Sequence, residues 1–345
     1  MAQFGQGGKP TIGAAQWVVV VHGPISEDTL GHSRVKTEAL WGATDVVEPQ
    51  PLGIIGAMLR CLEYAQGQHI VPVDARNAGL SKDVRMDTHR FHEFDIPIDL
   101  LNMTGGGVET FDAIADAHIS NLKKFIGISP DQSILEIGCG IGRDAIPLTK
   151  LLSENGKYLG VDIIKPSIDF CNKNIKARYK NFDFIHYDVA DQLHNPNGTI
   201  KTADIKLPVS DQSIDRIIAW SVFTHLYEND IRHYLNEFRR VLKSDGLTYV
   251  TVFIVDDVIL DSARRTNLTP FNLTFEHLLA EGCFINDPAF PLGAIAYTRD
   301  ALLAMIKDAG LELNRDFLRG AWSGFFSEPE DGQDVIILNT HRHNI

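Results

Sequence analysis

Apolar residues fall into two rhythms along this chain. Short unbroken runs, such as "SILEI" at 133–137, are a strand's length and predict buried strands. Longer stretches repeat every three or four positions: in "ENDIRHYLNEFRRVLKSDG", Ile231, Leu235, Phe238 and Leu242 share a face, basic residues gather near the end, and Gly246 follows as a stop signal. The pattern predicts strands at 133–137, 157–161, 182–187, 215–220, 247–254, 312–318 and 333–339, with helices near 143–153, 166–178 and 228–242. Thr298 caps a further helix carrying Leu302, Ile306 and Ala309 before Gly310. Strands alternating with helices mean a parallel sheet covered on both faces, a doubly wound α/β fold.

Ahead of this lies different material. Residues 1–13 are glycine-rich without periodicity and read as a flexible tail. Residues 14–105 read as a small N-terminal α/β extension: "WVVVV" from Trp17 as a strand, a helix with Pro51 in its first turn, and "HIVPV" as another strand. Gly105, Gly106 and Gly107 form a turn before a helix bearing Ile114, Ile119, Leu122 and Phe125. The main domain is therefore set at 106–345. The extension carries no recognisable motif, and acceptor binding or homo-oligomer formation are the roles open to it.

With 44% hydrophobic and 22% charged residues, the composition is that of an ordinary globular chain. A formal charge of −13 repels polyanions, so nucleic acid is not an expected partner. The apolar run near the N-terminus is far short of a membrane span, so no transmembrane segment is expected. Cys61, Cys139, Cys171 and Cys283 are scattered, without CxxC pairs or zinc-ligand spacing, which fits a reducing cytoplasm.

The chemistry concentrates in "SILEIGCGIGRDAIPL" at 133–148. A strand, a tight turn with Gly138, Gly140 and Gly142, and a helix start form the place where an open α/β sheet binds ligands, with backbone amides free to face them. The spacing is G-x-G-x-G, and Arg143 stands where a dinucleotide fingerprint would place its last glycine, which argues against a nicotinamide or flavin oxidoreductase. Asp162 ends the next strand, where a carboxylate can accept from both hydroxyls of a ribose.

Five motifs in order then carry a resemblance: "ILEIGCGIGR", "YLGVDI", "FIHYDVAD", "LPVSDQSIDRIIAWSVFTHL" and "EFRRVLKSDGLTYVT". The chain resembles the class I S-adenosylmethionine-dependent methyltransferases over roughly residues 106–340. The resemblance implies a seven-stranded Rossmann-like sheet and S-adenosyl-L-methionine as cofactor. Its cofactor residues would be Glu136, Gly138, Cys139, Gly140, Gly142, Arg143, Asp162, Ile163, Asp188, Val189 and Ser221. In the family, residues matching Asp188 and Val189 meet the adenine amino group and a ring nitrogen. Glu136 matches an acidic residue that fixes the glycine loop or contacts the methionine ammonium, and Arg143 is placed for the methionine carboxylate, or as a plain surface arginine.

Methyl transfer is an in-line displacement, and an acceptor hydroxyl benefits from a base. His225, after the fourth-strand motif, is the catalytic candidate, although a histidine there is common in the family as packing. Asp256, with Asp257, is an alternative on the same rim. Ser221 is a poor magnesium ligand, so a metal-independent enzyme is expected. Residues 255–297 read as a helical lid with aromatics including Tyr297, and Trp322 in "RGAWSGF" resembles a stretch in methyltransferases found near polysaccharide genes. Asp256, Tyr297 and Trp322 are the substrate-binding candidates. O-methylation of a sugar-containing or other small metabolite is the leading expectation. An amino-sugar N-methyltransferase and a non-catalytic cofactor-binding module are the alternatives.

Overall fold

The computed structural model describes residues 87–191, 194–266, 268 and 273–340. The expected tail, the strand from Trp17 and the helix after Pro51 lie outside them. The described chain opens with a hairpin, β1 (Thr88–Phe91) and β2 (Phe94–Pro97), followed by the short helix α1 (Ile98–Asn102). Phe91, Phe94, Ile96 and Leu101 are buried in one core with Phe111, Leu122 and Ile134, so packing begins ahead of the glycines at 105–107.

The longest early helix, α2 (Phe111–Phe125), buries Ile114, His118, Ile119, Leu122 and Phe125 along one stripe. Five parallel strands follow: β3 (Ser133–Ile137), β4 (Lys157–Asp162), β5 (Phe182–His186), β6 (Ile214–Ala219) and β7 (Leu242–Val252). Their connections hold α3 (Ala145–Leu148), α4 (Lys165–Cys171) and α5 (Glu228–Val241). Alternate residues of each strand enter separate cores: Leu135 and Ile217 on one face, Ile134 and Ile218 on the other. That is why these strands read as continuous apolar runs.

Beyond β7 come β8 (Ile254–Val255), α6 (Asp257–Thr266), β9 (His277–Ala280), β10 (Cys283–Ile285), β11 (Ile295–Thr298), α7 (Arg299–Asp308), β12 (Leu311–Leu313), β13 (Asp334–Ile336) and β14 (Leu338–Thr340). The main sheet runs β13-β7-β6-β3-β4-β5, with β13 antiparallel. Strand order reverses between β3 and β6, which opens a crevice at their carboxyl ends.

Several expectations need correction. The main ladder holds six strands rather than seven, because β12 pairs only with β14. At the break between β13 and β14 the Leu338 amide donates to the Thr248 hydroxyl at 3.0 Å, interrupting the backbone ladder. The helix expected at 143–153 is cut to four residues around Pro147, whose missing amide removes one donor. Past Cys171 the next helix widens into a π-turn at Asn172–Lys176. Gly246 is no helix stop but lies inside β7, where a Cβ would sit 3.0 Å from the Ile214 carbonyl. The 255–297 connection is not a helical flap: β8-β11-β10-β9 make a second sheet, with α6 the one α-helix among its described residues. Thr298 does cap α7, accepting from the Ala301 amide at 3.3 Å.

Candidate functional site: a cavity at the strand tips

β3 delivers the chain into the glycine turn beside β4, where the amides of Gly138 and Cys139 both donate to the Val161 carbonyl, at 2.8 and 3.2 Å. Gly138 and Gly140 have φ of 74° and 52°. A Cβ at Gly138 would lie 2.6 Å from Val222, and one at Gly140 2.9 Å from Thr104, so neither position admits a side chain without displacement. Gly142 turns behind the loop against Ile175 and does not line the cavity. Asp162, at the tip of β4, holds the loop: its carboxylate accepts from the Gly140 amide at 2.6 Å and the Ile164 amide at 2.7 Å. Burial raises the Asp162 pKa, against the pull of those two amides.

The cavity bounded by this loop has a volume of about 500 Å³. Of the residues named from sequence, Glu136, Gly138, Cys139, Gly140, Arg143, Asp162, Ile163, Val189, Ser221 and His225 line it. Glu136 is buried and accepts the Tyr158 hydroxyl; burial, then the nearby Asp144 charge, raises its pKa well above the usual carboxylate range. Ser221, at φ 52°, donates its amide to the Thr251 hydroxyl at 2.7 Å and shares a 3.1 Å hydrogen bond with Gln333. His225 places Nδ1 2.8 Å from the Leu292 carbonyl, supplied by the second sheet's connection. A carbonyl only accepts, so Nδ1 carries the proton and Nε2 is left with a lone pair. Burial lowers the His225 pKa to about 4, keeping the ring neutral.

Four expected residues stand elsewhere. Asp188 accepts from Asn195 at 3.0 Å and the Thr199 hydroxyl at 2.7 Å, tying down the 188–200 loop; these bonds, Asn195 first, lower its pKa. Asp256 is exposed and caps α6 through the Ile259 amide at 2.8 Å. Tyr297 is 1% exposed and donates to the Leu226 carbonyl at 2.9 Å. Trp322 packs edge-on against Phe253 and Phe275 and donates Nε1 to Asp334 at 2.7 Å. Buried aromatics carrying a polar tip need such partners, and here the protein itself supplies them.

Sequence reading missed the opposite wall. Met103, Thr104 and Gly105 line the cavity, Thr104 accepting the Ile141 amide at 3.2 Å and Gly105 accepting Arg143 Nη1 at 3.0 Å. His118 and Trp220 line it as well. Their only prior signal was a histidine on the apolar stripe of a helix and a tryptophan at a strand tip.

A glycine turn at the switch point, a carboxylate on the neighbouring strand tip and an enclosed crevice define a nucleotide-binding α/β domain. Residues 134–246 match the family model described as a methyltransferase domain. "Methyltransferase GfsG" of Streptomyces halstedii is 22% identical over 66% of this chain and 82% of its own length. "tRNA N(3)-cytidine methyltransferase METTL2" of Danio rerio is 23% identical over 55% of this chain and 47% of its own length, so the chain spans under half of that relative. Among solved structures, a TehB-like SAM-dependent methyltransferase from Corynebacterium glutamicum shows 16% identity and a TM-score of 0.38, covering 66% of this chain and 88% of that one. Residues 134–246 are thus a methyltransferase domain of the S-adenosylmethionine-dependent kind, with S-adenosyl-L-methionine as cofactor.

The residues present fit that cofactor. His118 Nε2, Arg143 Nε and Trp220 Nε1 are buried without a hydrogen-bond partner among the described residues, and all three residues line the cavity. The lining offers a charged pair, Glu136 and Arg143, and an apolar set, Val189, Ala190 and Pro196. A ligand with an amino-acid zwitterion at one end and a purine at the other matches both.

Proposed function

We propose that this enzyme methylates a hydroxyl of a sugar-containing or other small metabolite. The cofactor supplies an activated methyl group on a sulfonium. The protein's tasks are alignment, exclusion of water and reception of a proton. Asp162 and the Gly138–Gly142 turn hold the nucleoside part, with Val189 beside the base and Glu136 and Arg143 at the amino-acid end. His225 receives the hydroxyl proton on Nε2.

The observation that carries this reading is the neutral His225 ring, fixed through Nδ1 on a cavity wall, with Nε2 able to accept. No described helix is long and apolar enough to cross a membrane, consistent with a small acceptor that reaches the site from water. The same histidine favours a second reading. A ring that holds a proton only below about pH 4 is a weak base. A neutral amine, as on an amino sugar, needs little help of that kind.

Tritiated methyl transfer from S-adenosylmethionine into fractionated small-molecule and glycan extracts separates the two. Under the hydroxyl reading, His225→Ala lowers labelling by about 10²- to 10⁴-fold, the usual contribution of a general base. Near-full labelling by the variant, with label retained on amines, would select N-methylation.

A further inference from the structure

The reading above leaves without a role a buried pair of which one member, His118, lines the cavity. His118 and Asp144 are each 2% exposed, and His118 Nδ1 lies 2.9 Å from both Asp144 carboxylate oxygens. A carboxylate accepts, so Nδ1 carries the proton and Nε2 is directed away from Asp144. The imidazole also lies flat on Trp220, with ring centroids 3.6 Å apart and planes 2° apart. These two contacts fix the ring in position and rotation. Nε2 has no partner among the described residues although it is buried, and His118 lines the cavity. A buried ring nitrogen left bare is costly, and on a cavity wall the missing partner is a ligand atom.

Which end of the ligand it meets follows from its neighbours. The Asp144 carboxylate that holds His118 also acts on Glu136, which in turn feels Arg143, so the ring belongs with the two residues assigned to the amino-acid end. Arg143 is tethered through Nη1 to the Gly105 carbonyl, so an anion there has room for a second donor. We infer that His118, oriented by Asp144 and Trp220, is a positioning residue whose Nε2 hydrogen-bonds the amino-acid end of the cofactor. The inference rests on the cofactor reading. It adds a residue outside the 134–246 stretch that defines the family match.

Two probes separate this role from a structural one: S-adenosylhomocysteine, which carries the amino-acid end, and 5′-methylthioadenosine, which lacks it. Both are titrated calorimetrically into the full chain, wild type and variants. His118→Leu is expected to weaken S-adenosylhomocysteine by about 10- to 100-fold, the loss of one charge-assisted hydrogen bond, and to leave methylthioadenosine within about twofold. His118→Gln, which keeps an amide donor, should recover part of the loss, and it carries the test if the leucine variant does not fold. Asp144→Asn should show a smaller loss on S-adenosylhomocysteine alone.

An unchanged S-adenosylhomocysteine affinity, or equal losses on both probes, would overturn the inference while leaving the cofactor reading intact. A wild-type chain that binds neither probe would overturn both.

Discussion

His118 and His225 line one cavity, and the oxygen behind each ring makes them different reagents. His225 leans on a neutral carbonyl, that of Leu292, and burial drives its pKa to about 4. His118 leans on a carboxylate and is stacked on an indole. The first is a neutral lone-pair acceptor, suited to a proton arriving during reaction. The second is held by an anion and turns a bare ring nitrogen toward the cavity. The same side chain can thus be set to different tasks by the partner behind its ring.

The sharpest way to break this picture is to remove the loop both walls enclose. Gly138→Val places a branched side chain at φ 74° with its Cβ 2.6 Å from Val222. Left-handed strain and overpacking together should cost about 2–4 kcal/mol, and S-adenosylhomocysteine binding should fall at least ~100-fold by calorimetry. Wild-type affinity in this variant would mean the loop is no part of the site.

Next in size is Trp322→Phe. It leaves the Asp334 carboxylate without its indole donor in a buried position, which should lower stability by about 1–3 kcal/mol in urea melts while S-adenosylhomocysteine affinity stays within about twofold. A selective loss of acceptor or cofactor binding would return Trp322 to the site.

A smaller effect tests the His225 side. Because the ring is neutral above about pH 4, its proton resonances should not titrate between pH 5 and 8. As the pH falls through about 4 the ring gains its proton and the lone pair is lost. A midpoint near 6.5 would show an ordinary solvated imidazole and weaken the contrast with His118. The smallest expected change is Thr298→Ala, which removes the α7 cap and should cost about 1 kcal/mol without touching either histidine.

The two histidines also show what a single sequence can reveal. The β3 turn, Asp162 and the fourth-strand motif were legible because glycine spacing, a carboxylate after a strand and apolar runs each have a local physical meaning. His225 came with them, standing a few residues past such a strand. His118 did not, because its partners Asp144 and Trp220 are 26 and 102 positions away and only the fold assembles them.

Long-range pairing explains the other gaps too. Trp322 reads as a substrate-binding aromatic until Asp334 and Phe275 are seen around it, and Tyr297 likewise until its hydroxyl meets Leu226. The 255–297 connection holds aromatics at spacings that suit a helix or a strand, and pairing with β8 settles it as a second sheet. Pro147 was visible in the sequence, yet the run around it is apolar enough to suggest an uninterrupted helix.

The most direct test of the account is an equilibrium titration of the full chain with S-adenosylmethionine, followed by competition with S-adenosylhomocysteine and a parallel titration with NAD. The account predicts one cofactor per chain, displaced competitively by S-adenosylhomocysteine, no uptake of NAD, and at least about a tenfold weakening in Asp162→Ala, where the hydrogen bond to Gly140 is lost. Saturable NAD binding with no response to S-adenosylmethionine would contradict it.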